Sequence, residues 1–160
     1  MTLNLKRADE SEQEAINTLI IKSEMASMGN AGNPSAFVRQ YSISQRALLT
    51  NDSYVLYEGQ NLVGFFMLTR DGVEHELAYF YIEHTRLGKG YGKILWGFME
   101  GVCVQNRIHK INFVCGKNVT GFYLKMGAKK IGETTSKAYV GVEIDCLQYE
   151  LELGKGPNSG

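Results

Sequence analysis

The chain has 160 residues, 44% hydrophobic and 21% charged, an ordinary composition for a folded globular protein and a poor one for disorder, collagen or coiled coil. A compact chain of this length buries about 70% of the surface its unfolded form exposes, enough for a core without staples. Seventeen Lys and Arg balance seventeen Asp and Glu, which argues against a generally cationic surface for polyanions but leaves the distribution of charge open.

The stretch Thr2-Leu3-Asn4-Leu5-Lys6-Arg7 is strand-like with no long apolar region behind it, so no secretory leader is expected. Ser11-Glu12-Gln13-Glu14 has the form of a capping box, and Ile16, Leu19, Ile20 and Ser23 follow at helical spacing, predicting a helix from 12 to 27. Gly29 to Pro34 breaks it, and a second helical stretch is expected from Ser35 to Leu49. Ser53 to Glu58 and Leu62 to Arg70 are β-branched and aromatic runs around Glu58-Gly59-Gln60-Asn61, which reads as a hairpin; Asp71-Gly72 marks a further turn. Glu76 to Ile82 reads as a buried strand, followed by a glycine-rich turn and a helix with Ile94, Leu95, Phe98 and Val102 at helical spacing. Lys110 to Cys115 alternates as the next strand, so the strand-helix-strand unit predicts a right-handed parallel crossover. A short helix from Asn118 to Met126 with Gly127 as its C′ residue, and closing strands near 129–131 and 146–152, complete a mixed α/β chain. We expect one domain over residues 1–153 and a flexible tail over 154–160.

The longest apolar runs, such as Leu62 to Leu68, fall far short of the roughly 20 residues that span a bilayer, so no membrane segment is expected. Cys103, Cys115 and Cys146 are odd in number and widely spaced, which suggests reduced, mostly buried thiols and a cytoplasmic protein. His75, His84 and His109 have no ligand-like spacing with one another or with the cysteines, so no metal is expected. Trp96 and Met99 read as core, and Cys115 as a buried strand cysteine rather than a nucleophile.

Divided by position, the charge is uneven. Residues 1–83 carry six basic and eleven acidic side chains, residues 84–132 nine and one, and residues 133–160 two and five. A basic centre between acidic flanks suggests an anionic ligand held at one place, with a solvated basic face as the alternative. Within it, Leu87-Gly88-Lys89-Gly90-Tyr91-Gly92-Lys93 sits between strand and helix, where backbone N–H groups and the positive helix end can receive phosphate oxygens. The spacing is GxGxG, not the GxGxxG of dinucleotide folds, and Lys93 is followed by Ile94 rather than the Ser or Thr of a P-loop, so both nucleotide readings fail.

The strand ending Tyr81-Ile82 followed by Gly88-Lys89-Gly90-Tyr91-Gly92-Lys93-Ile94-Leu95-Trp96 resembles the acetyl-CoA pyrophosphate loop of the GNAT superfamily of N-acetyltransferases, Q/R-x-x-G-x-G/A. Downstream, Asn118-Val119-Thr120-Gly121-Phe122-Tyr123-Leu124-Lys125-Met126-Gly127 resembles the same superfamily's second signature, an Asn followed by an aromatic-Tyr pair and a Gly. The likeness runs from about Glu74 to Ile131, with one departure: Leu87 stands where the superfamily has Gln or Arg, and Arg86 is displaced by one. The resemblance implies a GNAT-like mixed, mostly antiparallel central sheet of six to seven strands with about four helices. It implies acetyl-CoA as co-substrate, its phosphates facing Leu87, Gly88, Lys89, Gly90, Tyr91, Gly92 and Lys93, with Arg86 and later lysines adding to the field. Its pantetheine would lie along Phe80, Tyr81 and Ile82, contacting mainly backbone, and would reach Asn118, which is also placed to cap the short helix.

Transfer to an amine needs the amine neutral. A lysine-like ammonium with pKa about 10.4 is neutral to about one part in 2,500 at pH 7, a penalty of about 4.6 kcal/mol, so a base or a water relay helps. Glu76, fourteen residues before Gly90, matches the position of the glutamate base in protein-acetylating members, with Glu74 and His75 as neighbours. Tyr123 is the proton donor that the second motif supplies to the leaving thiolate. Glu74, Glu76 and Glu83 favour a cationic acceptor, a small-molecule or peptide amine, and the segments Ser23 to Tyr41 and Thr134 to Asp145 are expected to shape its pocket without any recognisable signature. A CoA-binding module without catalysis remains the alternative. Nucleic acid is not expected as a partner, since the basic segment lacks interleaved aromatics, and oligomeric state, a homodimer included, is open.

Overall fold

The computed structural model describes residues 2–28, 34–71, 74–139 and 141–152. Seven strands form one sheet in the order β1-β2-β3-β4-β5-β7-β6: β1 Leu3–Arg7, β2 Asp52–Glu58, β3 Asn61–Asp71, β4 Glu74–Ile82, β5 Lys110–Cys115, β6 Lys129–Thr135 and β7 Glu143–Glu150. Every neighbouring pair is antiparallel except β4 and β5, which are joined by the expected parallel crossover through helix α4, Tyr91–Gln105. This is the mixed, mostly antiparallel sheet that the resemblance implies.

The β2–β3 hairpin turns at Gly59, whose φ of 59° suits a residue without Cβ. Helix α1, Gln13–Met28, begins behind a 3-10 turn over Glu10–Glu12. Its capping box is Asp9 with Glu12, one turn start earlier than Ser11: Asp9 Oδ1 accepts from the Ser11 N–H at 2.9 Å, and Glu12 Oε1 from the Asp9 N–H at 2.9 Å. The helical stretch expected over Ser35 to Leu49 is two helices, α2 Pro34–Tyr41 and α3 Gln45–Thr50. Ser44 separates them, because in extended conformation its hydroxyl accepts from the Ala47 N–H and starts a new helix. Of the expected breaker Gly29 to Pro34, Pro34 begins α2 and residues 29–33 lie outside the described residues, as do the Gly72 turn and the tail.

Two apolar layers sandwich the sheet. On one face α4 and α5, Thr120–Lys125, cover Leu56, Phe66, Leu68, Leu77, Ile82, Ile111, Phe113 and Leu147. On the other, α1 and α3 cover Val55, Phe65 and Met67 with Ile16, Leu19, Ile20 and Leu48. Each such fully buried side chain contributes about 1.5–3 kcal/mol by leaving water. The buried face of α4 holds Leu95, Val102, Trp96 and Met99, all expected in the core, together with Cys103, whereas Ile94 and Phe98, expected on the same stripe, are 42% and 36% exposed. The helix is apolar around most of its surface, so spacing alone did not choose the stripe, and the largest side chain, Trp96, took the inside. No helix among the described residues is long and apolar enough to cross a membrane.

The feature that positions the site is a parting of the sheet. β4 and β5 pair only at His75↔Ile111 and Glu76↔Asn112. Just beyond, the β3–β4 register jumps from Tyr79↔Met67 to Leu77↔Leu68, leaving Ala78 as an extra residue in β4. Such a bulge bends its strand and adds twist, so β4 diverges from β5, and the backbone of Leu77–Ile82 on the side away from β3 has no strand partner among the described residues.

Candidate active site

Tyr123 lies beneath this opening. Its ring, 8% exposed, packs at 6.0 Å from Phe80 of β4 and 4.8 Å from Phe113 of β5, with Trp96 and Phe122 completing the surround. Burial, followed by the nearby Cys115 and Glu24, pushes the phenol above its ordinary value, so it holds its proton at neutral pH. The hydroxyl makes no hydrogen bond among the described residues. α5 is held in register by Asp145 of β7, whose buried carboxylate accepts from Thr120 Oγ1 and Lys117 Nζ, both at 2.7 Å, and from Lys130 Nζ at 3.2 Å. These cations and the hydroxyl hold the Asp145 carboxyl well below the usual carboxylate range.

Along β4 the side chains alternate between faces. Phe80 and Ile82 join the α4 layer, while Tyr79 and Tyr81 join the α1 layer. Glu76 is exposed at the last β4–β5 pair, where the strands part. Glu74 accepts from Asn112 Nδ2 at 3.4 Å, beside it. His75 is half-buried, and burial lowers its pKa from the ordinary value.

At the other end of β4, Gly88 and Gly90 take φ of 76° and 89°, and Gly90 is the N-cap of α4 with no side chain supplying a cap. The first N–H groups of α4 are therefore left for an anion. Gly92 sits in close contact: a Cβ there would lie 3.1 Å from the Phe122 ring, tighter than an ordinary contact. Lys89 and Lys93 are exposed and without ion pairs among the described residues, whereas the Tyr91 hydroxyl donates to Glu58. Leu87 is 64% exposed.

Arg86, expected to add to the phosphate field, is turned to two carboxylates. It donates to Glu58, with Nε at 3.3 Å, and to Glu83, so two carboxylates already neutralise it. Glu83, expected near the acceptor, is committed to Arg86 and to Thr85. Asn118 does not cap α5 either: Val119 is the N-cap residue, and Asn118 Nδ2 donates to Ser27 Oγ of α1 at 2.8 Å. Cys115 is buried against Thr120, with its thiol pushed up by burial, which suits packing and not nucleophilic attack. Among the described residues no three His, Cys, Asp or Glu side chains are grouped to share a metal ion.

One group at the site escaped the sequence reading. Glu24 of α1 accepts from the Tyr81 hydroxyl on Oε1 and from the Tyr139 hydroxyl on Oε2, each at 2.5 Å. These residues are 57 and 115 positions from Glu24, and no spacing pattern links them.

The profile of the acetyltransferase (GNAT) family matches residues 20–128, a span that includes the parted strands, the glycine loop and α5. No curated protein sequence matches the chain. Among solved structures, a PaiA N-acetyltransferase from Thermoplasma acidophilum in complex with coenzyme A superposes with a TM-score of 0.78 at 17% identity, over 94% of this chain and 100% of that one. A GCN5-related N-acetyltransferase from Rhodopseudomonas palustris gives 0.77 at 14% identity, over 94% and 97%. The ribosomal-protein-S18-alanine N-acetyltransferase from Escherichia coli gives 0.68 at 8% identity, over 98% of each chain. At these identities the structures speak for the fold, and the profile, covering more than half of the sequence, carries the assignment: the chain belongs to the acetyltransferase (GNAT) family.

Proposed function

We propose that residues 1–153 act as one cytoplasmic N-acetyltransferase domain that moves the acetyl group of acetyl-CoA directly to a primary amine of a small, cationic acceptor. The observation that carries this reading is the opening between β4 and β5, with the protonated Tyr123 phenol under it and an uncapped helix entrance beside it. The residues present suit the co-substrate. The unpartnered backbone of Leu77–Ile82 offers hydrogen bonds to an amide-bearing chain laid along it, and the N–H groups of Tyr91, Gly92 and Lys93, with the free Lys89 and Lys93 ammonium groups, suit phosphates. The PaiA structure of the same fold was solved in complex with coenzyme A, in keeping with this reading.

When bound, acetyl-CoA supplies an activated acyl group and a thiolate leaving group. The chain's own residues supply protons and position. Glu76, exposed where the strands part, accepts the proton of the incoming ammonium, directly or through water. Tyr123 gives its phenolic proton to the departing sulfur. Asn118, in the loop after β5, donates to Ser27 of α1 and ties that loop to the helix.

The test is an acceptor screen with acetyl-CoA across polyamines, aminoglycosides, amino acids and peptide N-termini, followed by free thiol and by the mass of the product. Thiol release matched by an acetylated amine is the expected result. Tight CoA binding without thiol release on any amine would refute transfer and leave a CoA-binding module.

A further inference from the structure

We propose that the Glu24 carboxylate, framed by Tyr41, Tyr79, Tyr81 and Tyr139, is the anchor for the ammonium group of the acceptor. This rests on the transfer reading above and assigns its acceptor side to particular atoms.

Four segments far apart in the chain converge here: Glu24 from α1, Tyr41 from α2, Tyr79 and Tyr81 from β4, and Tyr139 from the connection between β6 and β7. Each carboxylate oxygen already accepts one phenol, which fixes the group's orientation and leaves further lone pairs for a ligand. The Tyr41 hydroxyl faces that of Tyr139, and the Tyr79 and Tyr81 rings lie 6.3 Å apart. Burial first, and then the Glu24 charge, raises the phenols of Tyr41 and Tyr81, while burial and a hydrogen bond to Glu24 raise that of Tyr139. All three keep their protons at neutral pH, so Tyr81 and Tyr139 donate to the carboxylate. No Lys, Arg or His forms an ion pair with Glu24 among the described residues. A half-buried carboxylate ringed by phenols, with no cation paired to it among the described residues, leaves room for a positive charge. A primary ammonium answers both features, with three N–H donors for the oxygens and a positive charge for the ring faces.

The position also fits. Ser23 Oγ donates to the Ile82 carbonyl at 3.4 Å, and Ser27 Oγ accepts from Asn118 Nδ2. The turn of α1 that carries Glu24 therefore reaches the end of β4 on one side and the loop after β5 on the other. The Glu24 charge acts on the Tyr123 phenol, and Tyr81 responds to both. An ammonium held at Glu24 thus sits beside Tyr81 of β4, on the turn of α1 that meets the end of β4 and the loop after β5.

The experiment measures calorimetric binding of lysinamide and butylamine, with butanol as the neutral control, to the full chain saturated with CoA. Glu24→Gln keeps the shape and an acceptor for one phenol, while its amide N–H2 donates to the other hydroxyl in place of accepting from it, and it is expected to weaken both amines about tenfold or more while leaving CoA affinity within about twofold. Tyr139→Phe, which keeps the carboxylate but frees one oxygen from its hydroxyl, is expected to weaken them by a smaller factor. The proposal is overturned if the wild type binds neither amine in preference to butanol, or if Glu24→Gln binds them as tightly as the wild type. Thiol release from acetyl-CoA on the same samples separates the two readings: Glu24-dependent binding without turnover upholds the anchor and refutes acetyl transfer.

Discussion

Replacing Tyr123 with Phe separates the chemistry of the site from its packing. The ring contacts Phe80, Trp96, Phe113 and Phe122 with centroids 4.8–6.0 Å away, and phenylalanine keeps all four. Because the hydroxyl has no hydrogen-bond partner among the described residues, its removal strands no buried group. The expected change in stability is within about 1 kcal/mol, or about 2–4 °C in Tm for a chain of this size. Tyr123→Ala, by contrast, empties the space between β4 and β5 and costs about 3–5 kcal/mol. Loss of a positioned proton donor slows turnover by about 10²–10⁴, equivalent to about 2.7–5.5 kcal/mol of barrier. The assay is kcat from free thiol on an accepted amine, with Tm measured on the same preparation. A Tyr123→Phe variant as stable as the wild type and within threefold of its kcat would refute the role given to the phenol.

Alanine at both Lys89 and Lys93 should raise the Kd for CoA about tenfold and flatten its dependence on salt, because these exposed ammonium groups act on phosphates through screened charge; an unchanged salt slope would place the phosphates elsewhere. The pH profile follows from the raised phenol of Tyr123. Its donor form is the protonated one, present below a pKa that lies above the ordinary value of about 10, while the acceptor amine sheds its proton as pH rises. kcat/KM should therefore climb from pH 7 to 9, and a descending limb centred below pH 9 would exclude Tyr123 as the donor. Asp145 behaves in the opposite sense. Its folded pKa is depressed below 3.8, so its stabilisation is present above about pH 4 and is lost as pH falls through the folded value. The Tm gap between wild type and Asp145→Asn should shrink between pH 7 and pH 3, and a pH-independent gap would contradict the ion-pair account.

What was legible in the sequence was what local chemistry decides. The Gly59 hairpin, the β4-α4-β5 crossover, Gly127 past the end of α5 and the glycine loop all follow from turn residues and periodicity. What was not legible depends on neighbours distant in the chain. Ile94 and Phe98 have the same helical spacing as Leu95 and Met99, and their exposure follows from the face that α4 turns to the sheet, where Trp96 packs against Phe113 and Tyr123. The basic centre of the chain looked like a field for an anion, but Arg86 is folded against Glu58 and Glu83, and Lys117 and Lys130 against Asp145 and Glu133. The acidic flanks thus neutralise part of it and leave Lys89 and Lys93 free at the loop. Glu24 gave no signal at all, since its phenol partners come from β4 and from the connection beyond β6.

Hydrogen exchange with and without CoA tests the central claim most directly, that this chain holds acetyl-CoA along the unpaired edge of β4 with its phosphates at the start of α4. The account predicts that saturating CoA slows exchange of amides within Ala78–Ile82 and at Tyr91, Gly92 and Lys93, while those of β1 and β2 stay as they were. CoA that leaves both segments unchanged, or protects a different part of the chain, would contradict it.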